Sequence, residues 1–333
     1  MSTTSTPAST GVMITGVAGL IGSHLAETLL AQGHQVFAMD MVDAATCHNL
    51  DLVRDHPGFH YTKGDIRDAA FINGFFRPDA STLYHLASVV GVNRYMEDPL
   101  SLIDIAIIGT RNLIELCERH GVRMLFTSTS EVYGRNPDVP WSEDGDRVLG
   151  ATNVDRWSYA SSKGVCEHML FGMHHKSGWP MSIVRFFNVY GPRQNPIYVV
   201  SKAVHRVLNG HAPELYDGGQ QTRCLTYIGD VIGGVIAAAN SDAAIGQAIN
   251  LGNPVENTMA EVLQMVLEEA GSSLTPIPVD TGKRYGDVYE DIGRRVPAVD
   301  KAAQLLGWRA TTSARQGIAN TIAWARANPW YLT

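Results

Sequence analysis

The feature that most constrains the fold is the glycine-rich turn TGVAGLIG near the N-terminus. It places Gly16, Gly19 and Gly22 between an apolar run (12–15) and a segment with helical periodicity (20–32). Glycines let the backbone turn tightly and approach a pyrophosphate closely, and a helix N-terminus offers free N–H groups to that anion. The turn therefore predicts a βαβ unit that binds a dinucleotide.

Short β-rich runs alternate with amphipathic segments up to about residue 190. This alternation predicts an α/β fold, a Rossmann-like doubly wound parallel sheet with a smaller, discontinuous C-terminal substrate-binding lobe. We expect an NAD-binding domain over 11–190, with 224–252 returning to it. The substrate-binding lobe is then predicted over 191–223 and 253–330, and residues 1–10 are expected to be a disordered leader.

Composition excludes several classes of function. The 333 residues carry a net charge of −7, which gives no basic surface for nucleic acid. No apolar run approaches the ~18 residues of a membrane span. The four scattered cysteines lack metal-ligand spacing and are interpreted as reduced thiols of a cytoplasmic protein. We predict no metal site, because no group of His, Asp and Glu shows ligand spacing either.

Acidic and small residues at later strand ends extend the dinucleotide site. Asp40 ends the second predicted strand, where a carboxylate accepts hydrogen bonds from ribose hydroxyls and repels a 2′-phosphate, so NAD is favoured over NADP. Asp65 and Ile66 end another strand, at a place suited to adenine. The further predicted cofactor contacts lie in the glycine turn and after the strand 81–87: Ala18, Leu20, Ile21, Leu86, Ala87 and Ser88.

A proton-transfer pair is predicted on one helix. Tyr159 and Lys163 are four residues apart, so both side chains lie on the same helical face. A lysine cation favours the phenolate, and we expect it to lower the tyrosine pKa enough for the phenolate to act as a base. Thr129 is expected to hydrogen-bond the same sugar hydroxyl. The pair is also predicted to contact the cofactor.

Together, the glycine turn, Asp40, Asp65, Thr129 and the Tyr159–Lys163 pair resemble those of extended short-chain dehydrogenases/reductases that act as nucleotide-sugar epimerases or dehydratases. The resemblance implies oxidation of the sugar C4 by NAD as a first step. In this family the 4,6-dehydratases carry Asp-Glu after the Ser/Thr, whereas this chain has Ser130 and Glu131. The stretch TSEVYG is most similar to UDP-glucuronic acid decarboxylases, which implies loss of CO2 from the C4-keto acid, giving UDP-xylose, UDP-4-keto-pentose or both.

The same resemblance implies the remaining site residues. The stretch YEDIGRRVP places Arg295 where the decarboxylases carry an arginine implicated in carboxylate binding and protonation. Catalysis is therefore assigned to Thr129, Ser130, Glu131, Tyr159, Lys163 and Arg295. The substrate contacts that the resemblance implies are Tyr95, Arg156, Asn188, Arg223 and Tyr289.

Two alternatives stay open on the sequence. One is a 4-epimerase or 4,6-dehydratase acting on another UDP- or dTDP-sugar. The Ser130–Glu131 pair argues against the dehydratase. The other is a non-catalytic NAD-binding regulator. The family resemblance also implies a homodimer, in which segments 98–120 and 156–177 form a four-helix bundle.

Overall fold

A computed structural model of the chain describes residues 11–89, 98–282 and 292–333. Tyr95, Tyr289 and the leader 1–10 lie outside these residues, so the predictions made for them are not tested. The strands in the described residues are β1 Gly11–Thr15, β2 Gln35–Asp40, β3 Phe59–Lys63, β4 Thr82–His85, β5 Arg123–Thr129, β6 Met181–Phe186, β7 Val189–Tyr190, β8 Glu214–Tyr216, β9 Thr222–Cys224, β10 Thr226–Tyr227, β11 Gln247–Leu251, β12 Glu256–Thr258 and β13 Ile277–Val279.

Seven of these strands form one parallel sheet in the order β3-β2-β1-β4-β5-β6-β11. The chain builds outward from β1 to β3 and then crosses to β4 on the other side of β1. Ligands of open α/β sheets bind where the strand order reverses in this way, at the carboxyl ends of the strands. The predicted fold class is confirmed, and the crevice is expected between the ends of β1 and β4.

The helices are α1 Leu20–Ala31, α2 Ala69–Phe75, α3 Pro99–Asp104, α4 Thr110–His120, α5 Arg156–Ser177, α6 Val199–Leu208, α7 Ile228–Asn240, α8 Met259–Ala270, α9 Asp300–Leu306 and α10 Ala314–Ala327. A π-helical segment, Ile105–Gly109, joins α3 to α4. Local sequence sets several ends: Gly121 closes α4 in the left-handed region that glycine tolerates best. A Thr258–Glu261 capping box starts α8. Within the described residues, no helix is long and apolar enough to span a bilayer.

The pleat of the sheet divides the core into two layers. On β1, Val12 and Ile14 pack on one face with α1 and α7, whereas Met13 packs on the opposite face with α2, α4 and α5. Side chains alternate between faces along a strand, and burial of an aliphatic side chain contributes about 1.5–3 kcal/mol. Both faces of the sheet are therefore covered, which fixes the strand ends as the open edge.

A separate core holds the C-terminal part of the chain together. Helices α6, α8 and α10 pack around buried Val204, Val266 and Ile318. Three two-stranded pairs lie outside the main sheet: β7 with β10, β9 with β12, and β8 with β13. The β9–β12 pair carries Arg223 opposite Asn257. The strands β8, β12 and β13 lie within the ranges predicted for the substrate lobe, whereas β7 and β10 lie within the ranges predicted for the NAD-binding domain.

Candidate active site

The glycine turn is shaped by close backbone contacts. A Cβ on Gly16, whose φ is 77°, would lie 2.6 Å from the Ala87 backbone nitrogen. A Cβ on Gly22 would lie 2.3 Å from the Gly16 carbonyl oxygen. No side chain among the described residues caps α1 at Gly19, so its first-turn N–H groups stay available to an anion. Gly16 and Gly22 are therefore required by the packing of the turn itself, because protein backbone occupies the space that a Cβ would need.

Asp40 fixes the turn from the end of β2. Its carboxylate accepts hydrogen bonds from the backbone N–H of Ala18 (3.0 Å) and of Val42 (3.3 Å). Each carboxylate oxygen retains a further lone pair, and the residue is only partly buried. Asp40 can therefore accept ribose hydroxyls while it holds the loop that faces the pyrophosphate.

The two residues predicted to lie at the adenine, Asp65 and Ile66, already have partners within the protein. Asp65 is paired with Arg67, with an Nη2–Oδ2 distance of 2.6 Å, and hydrogen bonds from Arg67 hold the pKa of Asp65 below its ordinary value. Ile66 is buried, and a Cβ on Gly109 would lie 2.3 Å from its Cδ1, so it packs against the π-helical segment. Arg67 was missed by the sequence analysis, although its position two residues after an acidic strand end could have suggested the pair.

The strand end after β4 lies directly against the glycine turn. The backbone N–H of Leu86 donates to the Thr15 carbonyl (3.1 Å), and that of Ala87 donates to the Thr15 hydroxyl oxygen (3.3 Å). Ser88 hydrogen-bonds Tyr159. The predicted strand-end residues therefore connect the dinucleotide turn to the predicted catalytic tyrosine.

Tyr159 and Lys163 are both buried in α5, but their electrostatics differ from the prediction. Burial, and then the nearby Glu131 carboxylate, raise the pKa of Tyr159. The Lys163 ammonium donates to the Thr127 carbonyl (2.9 Å) and lies 4.6 Å from the centre of the Phe126 ring. Burial lowers the pKa of Lys163 to about 8. The expected lowering of the tyrosine pKa by lysine is wrong for this structure, because desolvation opposes the phenolate.

The hydroxyls and acid after β5 are held by a tight turn. Residues Ser130–Tyr133 form a single 3-10 turn, and the Thr129 hydroxyl oxygen accepts from the Glu131 backbone N–H (3.2 Å). That contact uses Thr129 as an acceptor, so its O–H stays able to donate to a substrate oxygen. Ser130 is buried beside it. The turn thus aims the Glu131 side chain away from the strand.

Glu131 is clamped between two arginines from distant parts of the chain. Its Oε1 lies 3.2 Å from Arg295 Nη1 and 3.6 Å from Arg156 Nη2. Both guanidiniums are almost fully buried, and the Glu131 side chain is 16% exposed. Its Oε2 has no hydrogen-bond partner among the described residues. We refer to these three residues as the acid-binding cluster; two cations and one anion leave it with a net charge of about +1.

The two predicted phosphate contacts lie in the C-terminal segments. Asn188 has a positive φ of 38°, and its side-chain amide donates to the Cys224 carbonyl (3.3 Å). Arg223 donates to the carbonyls of Thr222 (2.8 Å) and Gly293 (3.3 Å). The neighbouring Arg294 is instead paired with Glu256 at 2.6 Å and is largely exposed. The structure therefore places Arg294 outside the acid-binding cluster that its neighbour Arg295 completes.

Comparison with known proteins gives the family. The family model described as GDP-mannose 4,6 dehydratase matches residues 13–321. A UDP-N-acetyl-alpha-D-glucosaminuronate decarboxylase of Bacillus cytotoxicus is 35% identical over 94% of this chain and 97% of its own length. UDP-glucuronic acid decarboxylase 1 of Xenopus tropicalis is 32% identical over 95% of this chain and 72% of its own.

A solved structure extends the comparison to the cofactor. The UDP-glucuronic acid 4-epimerase of Bacillus cereus, in complex with UDP-glucuronic acid and NAD, is similar with a TM-score of 0.83 and 26% identity. The similarity covers 95% of this chain and 99% of that one. Relatives of both kinds, decarboxylase and epimerase, therefore share this architecture across nearly the whole chain.

Proposed function

The chain belongs to the extended short-chain dehydrogenase/reductase family of NAD-dependent nucleotide-sugar enzymes, and on that premise we propose that it decarboxylates UDP-glucuronic acid. The observation that carries the proposal is the acid-binding cluster beside Tyr159. A positively charged pair of arginines around one carboxylate suits a sugar that is itself an acid. Neutral sugars offer these arginines no carboxylate to bind, and among enzymes of acidic sugars the release of CO2 separates a decarboxylase from a 4-epimerase such as that of Bacillus cereus.

The residues present fit NAD. Gly16, Gly19 and Gly22 leave room for the pyrophosphate, Asp40 faces the ribose, and Leu86 to Ser88 lie along the route toward Tyr159. When bound, NAD takes a hydride from C4 of the sugar and can return it to the ketone. We propose that these residues contact the bound cofactor.

Tyr159 removes the proton of the C4 hydroxyl, and the Thr129 O–H hydrogen-bonds the same oxygen. In this structure, burial and Glu131 raise the pKa of Tyr159, so the phenolate requires compensation. Lys163, one helical turn away, supplies a positive charge that favours the phenolate. Tyr159 therefore acts as a base only while Lys163 is protonated.

Decarboxylation then follows from the chemistry of the ketone. A C4 ketone makes the C6 carboxylate a β-keto acid, and breaking the C5–C6 bond releases CO2 and leaves an enolate. Arg295 binds the carboxylate before the bond breaks, Ser130 hydrogen-bonds it, and a water molecule held by Arg295 and the Glu131 carboxylate returns a proton to C5. The product is UDP-4-keto-pentose or, after its reduction, UDP-xylose.

A second substrate is favoured by one observation. The Bacillus cytotoxicus relative, at 35% identity, is named for a uronate that carries an N-acetyl group. The acid chemistry is the same in both sugars, so the acid-binding cluster does not distinguish them. UDP-N-acetylglucosaminuronic acid is therefore the alternative substrate.

The test is incubation of the purified, NAD-loaded protein with each of the two uronates and with UDP-glucose. We expect CO2 release from a uronate, with a product lighter by CO2 in the mass spectrum, and none from UDP-glucose. A Tyr159→Phe variant is the matched control, because it lacks only the phenol oxygen. Epimerised UDP-glucuronic acid without CO2 would contradict the proposal and support the epimerase alternative.

The assembly and compartment are proposed separately. Leu100, Ile108 and Val165 are large apolar side chains exposed on α3, the π-helical segment and α5, which supports a homodimer through segments 98–120 and 156–177. Light scattering tests it, and a monomer at micromolar concentration would contradict it. All four cysteines lie in the described residues as free thiols, which supports a reducing, cytoplasmic compartment.

A further inference from the structure

A second glutamate–arginine pair lies behind the site, and the proposed reaction does not use it. Arg185 on β6 donates to Glu167 on α5 through two bonds, Nη2 to Oε2 (2.6 Å) and Nε to Oε1 (3.0 Å). Both side chains are almost fully buried. Burial disfavours the Arg185 charge, but the hydrogen bonds and charge of Glu167 raise the pKa of Arg185 above its ordinary value. The pair is therefore fully charged.

The pair is saturated by side chains from neighbouring elements. The Ser128 hydroxyl donates to Glu167 Oε1 (2.5 Å), and Arg185 Nη1 donates to the Tyr133 hydroxyl oxygen (2.8 Å). Tyr133 in turn donates to Asn250 Oδ1 on β11 (2.7 Å). We refer to these five residues as the buried network. It ties one helix, three strands and the turn after β5 together.

Three members of the buried network lie next to residues of the proposed site in the chain or on the helix. Ser128 immediately precedes Thr129, and Tyr133 ends the turn that carries Ser130 and Glu131. Glu167 lies one helical turn beyond Lys163, on the same face of α5. We propose that Glu167 and Arg185 are positioning residues that hold the strand end bearing Thr129 and Glu131 against the helix bearing Tyr159 and Lys163.

A buried ion pair is a poor way to gain stability alone, because desolvation offsets most of the attraction. Its distinctive property is a fixed geometry, since a bidentate guanidinium accepts little displacement. A misplacement of about 1 Å in a site can cost about a hundredfold in rate. The inference rests on the proposed roles of Tyr159 and Lys163, and on nothing about the identity of the sugar.

The buried network also sets the electrostatic surroundings of Lys163. The titratable groups that interact with this ammonium are His85 from β4 and Cys166 and Glu167 from its own helix, and Arg147 and Arg185 act in turn on Glu167. Burial lowers the pKa of Lys163, whereas Cys166 and Glu167 oppose that effect. Removing the Glu167 charge therefore moves the loss of the ammonium to lower pH.

The experiment compares Glu167→Gln with wild type in two measurements on the NAD-bound protein. Hydrogen exchange over residues 127–133 needs no turnover, and we expect it to rise about tenfold in the variant. The pH profile of kcat for CO2 release is the second, with kcat lowered at least tenfold and its alkaline limb moved down by about one pH unit. The double variant E167Q/R185Q, which leaves no unpaired buried charge, replaces E167Q if the single variant does not fold.

Leu263→Ala in α8 is the matched control, because it weakens a buried core far from the buried network. It should raise exchange over 259–270 and leave both 127–133 and the alkaline limb as in wild type. Wild-type exchange over 127–133 in E167Q, or an unmoved alkaline limb with kcat merely reduced, would overturn the positioning role. If wild type releases no CO2 from either uronate, the proposed function fails and the exchange measurement alone decides this inference.

Discussion

Two glutamate–arginine clusters, one at Glu131 and one at Glu167, are built on opposite principles. In the buried network, Glu167 is 6% exposed and each of its oxygens accepts from Arg185. In the acid-binding cluster, Glu131 shares one oxygen between Arg156 and Arg295, and its other oxygen has no partner within the described residues. Both oxygens of Glu167 therefore have a partner within the protein, whereas one oxygen of Glu131 has none among the described residues.

The difference separates a structural use of charge from a chemical one. A saturated pair resists change, because breaking either bond leaves a buried charge unpaired. An unsaturated cluster with a net positive charge can accept a new anion at little cost. The following substitutions test whether the buried network controls stability and the acid-binding cluster controls activity.

The largest expected effect is on stability, from Arg185→Met. The substitution leaves Glu167 buried without its cation, so we expect a loss of about 3–5 kcal/mol in the free energy of unfolding, measured with urea. The double variant E167M/R185M should recover most of that loss, because no charge remains to be desolvated. A double variant no more stable than R185M would show that the two side chains contribute separately.

Arg295→Met should instead remove activity. Loss of the guanidinium takes away the group proposed to hold the substrate carboxylate, and we expect kcat/KM for CO2 release to fall about 10²–10³-fold. Stability should change by less than about 1 kcal/mol, because the partly exposed Glu131 keeps Arg156. Arg294→Met is the control on the adjacent residue, and a change beyond about twofold there would remove the distinction between the two arginines.

Glu131→Gln should affect KM and kcat differently. The amide keeps the shape of the side chain but leaves two arginines uncompensated, so the cluster charge rises from about +1 to about +2. We expect KM for a uronate to fall and kcat to fall about tenfold, because the carboxylate that helps to hold the proton-donating water is lost while the anion is held more tightly. Equal losses in kcat and kcat/KM with unchanged KM would argue against an electrostatic role.

The smallest expected effect is in the wild-type pH profile. Burial lowers the pKa of Lys163 from its ordinary value near 10.5 to about 8, so the ammonium is present below that pH and is lost above it. The phenolate of Tyr159 then loses its neighbouring cation, and kcat/KM should decline as pH rises through about 8. A Lys163→Met variant has nothing to titrate there, and a decline in that variant too would assign the limb to another group.

Much of the dinucleotide side was predictable from local sequence. Gly16 and Gly22 lie where a Cβ has no room, and Asp40 ends the strand that the alternating pattern predicted. Such features depend on residues close together in the chain, where spacing translates directly into geometry. The pairing of charged side chains was harder to predict. Arg67 occupies the Asp65 carboxylate, and Arg185 was overlooked although a charge inside an apolar strand requires a buried partner.

The electrostatic prediction for Tyr159 failed for a related reason. A lysine four residues away in a helix is evident from spacing, whereas the extent of desolvation depends on everything packed around the pair. Ser88 and Glu131 lie far from Tyr159 in the sequence, but they reach it in space from two other strand ends and both affect its pKa. Burial then outweighs the effect of the neighbouring cation.

The sequence by itself determined the layer order of the fold, the dinucleotide turn and the residue types available for chemistry. Each of these depends on the spacing of nearby residues and on the period of the apolar positions. Only the tertiary structure decided which charges meet. It placed Arg156 and Arg295 on one carboxylate and Arg185 on another, although the paired residues lie between 18 and 164 positions apart in the chain, because charge pairing acts through space and not along the chain.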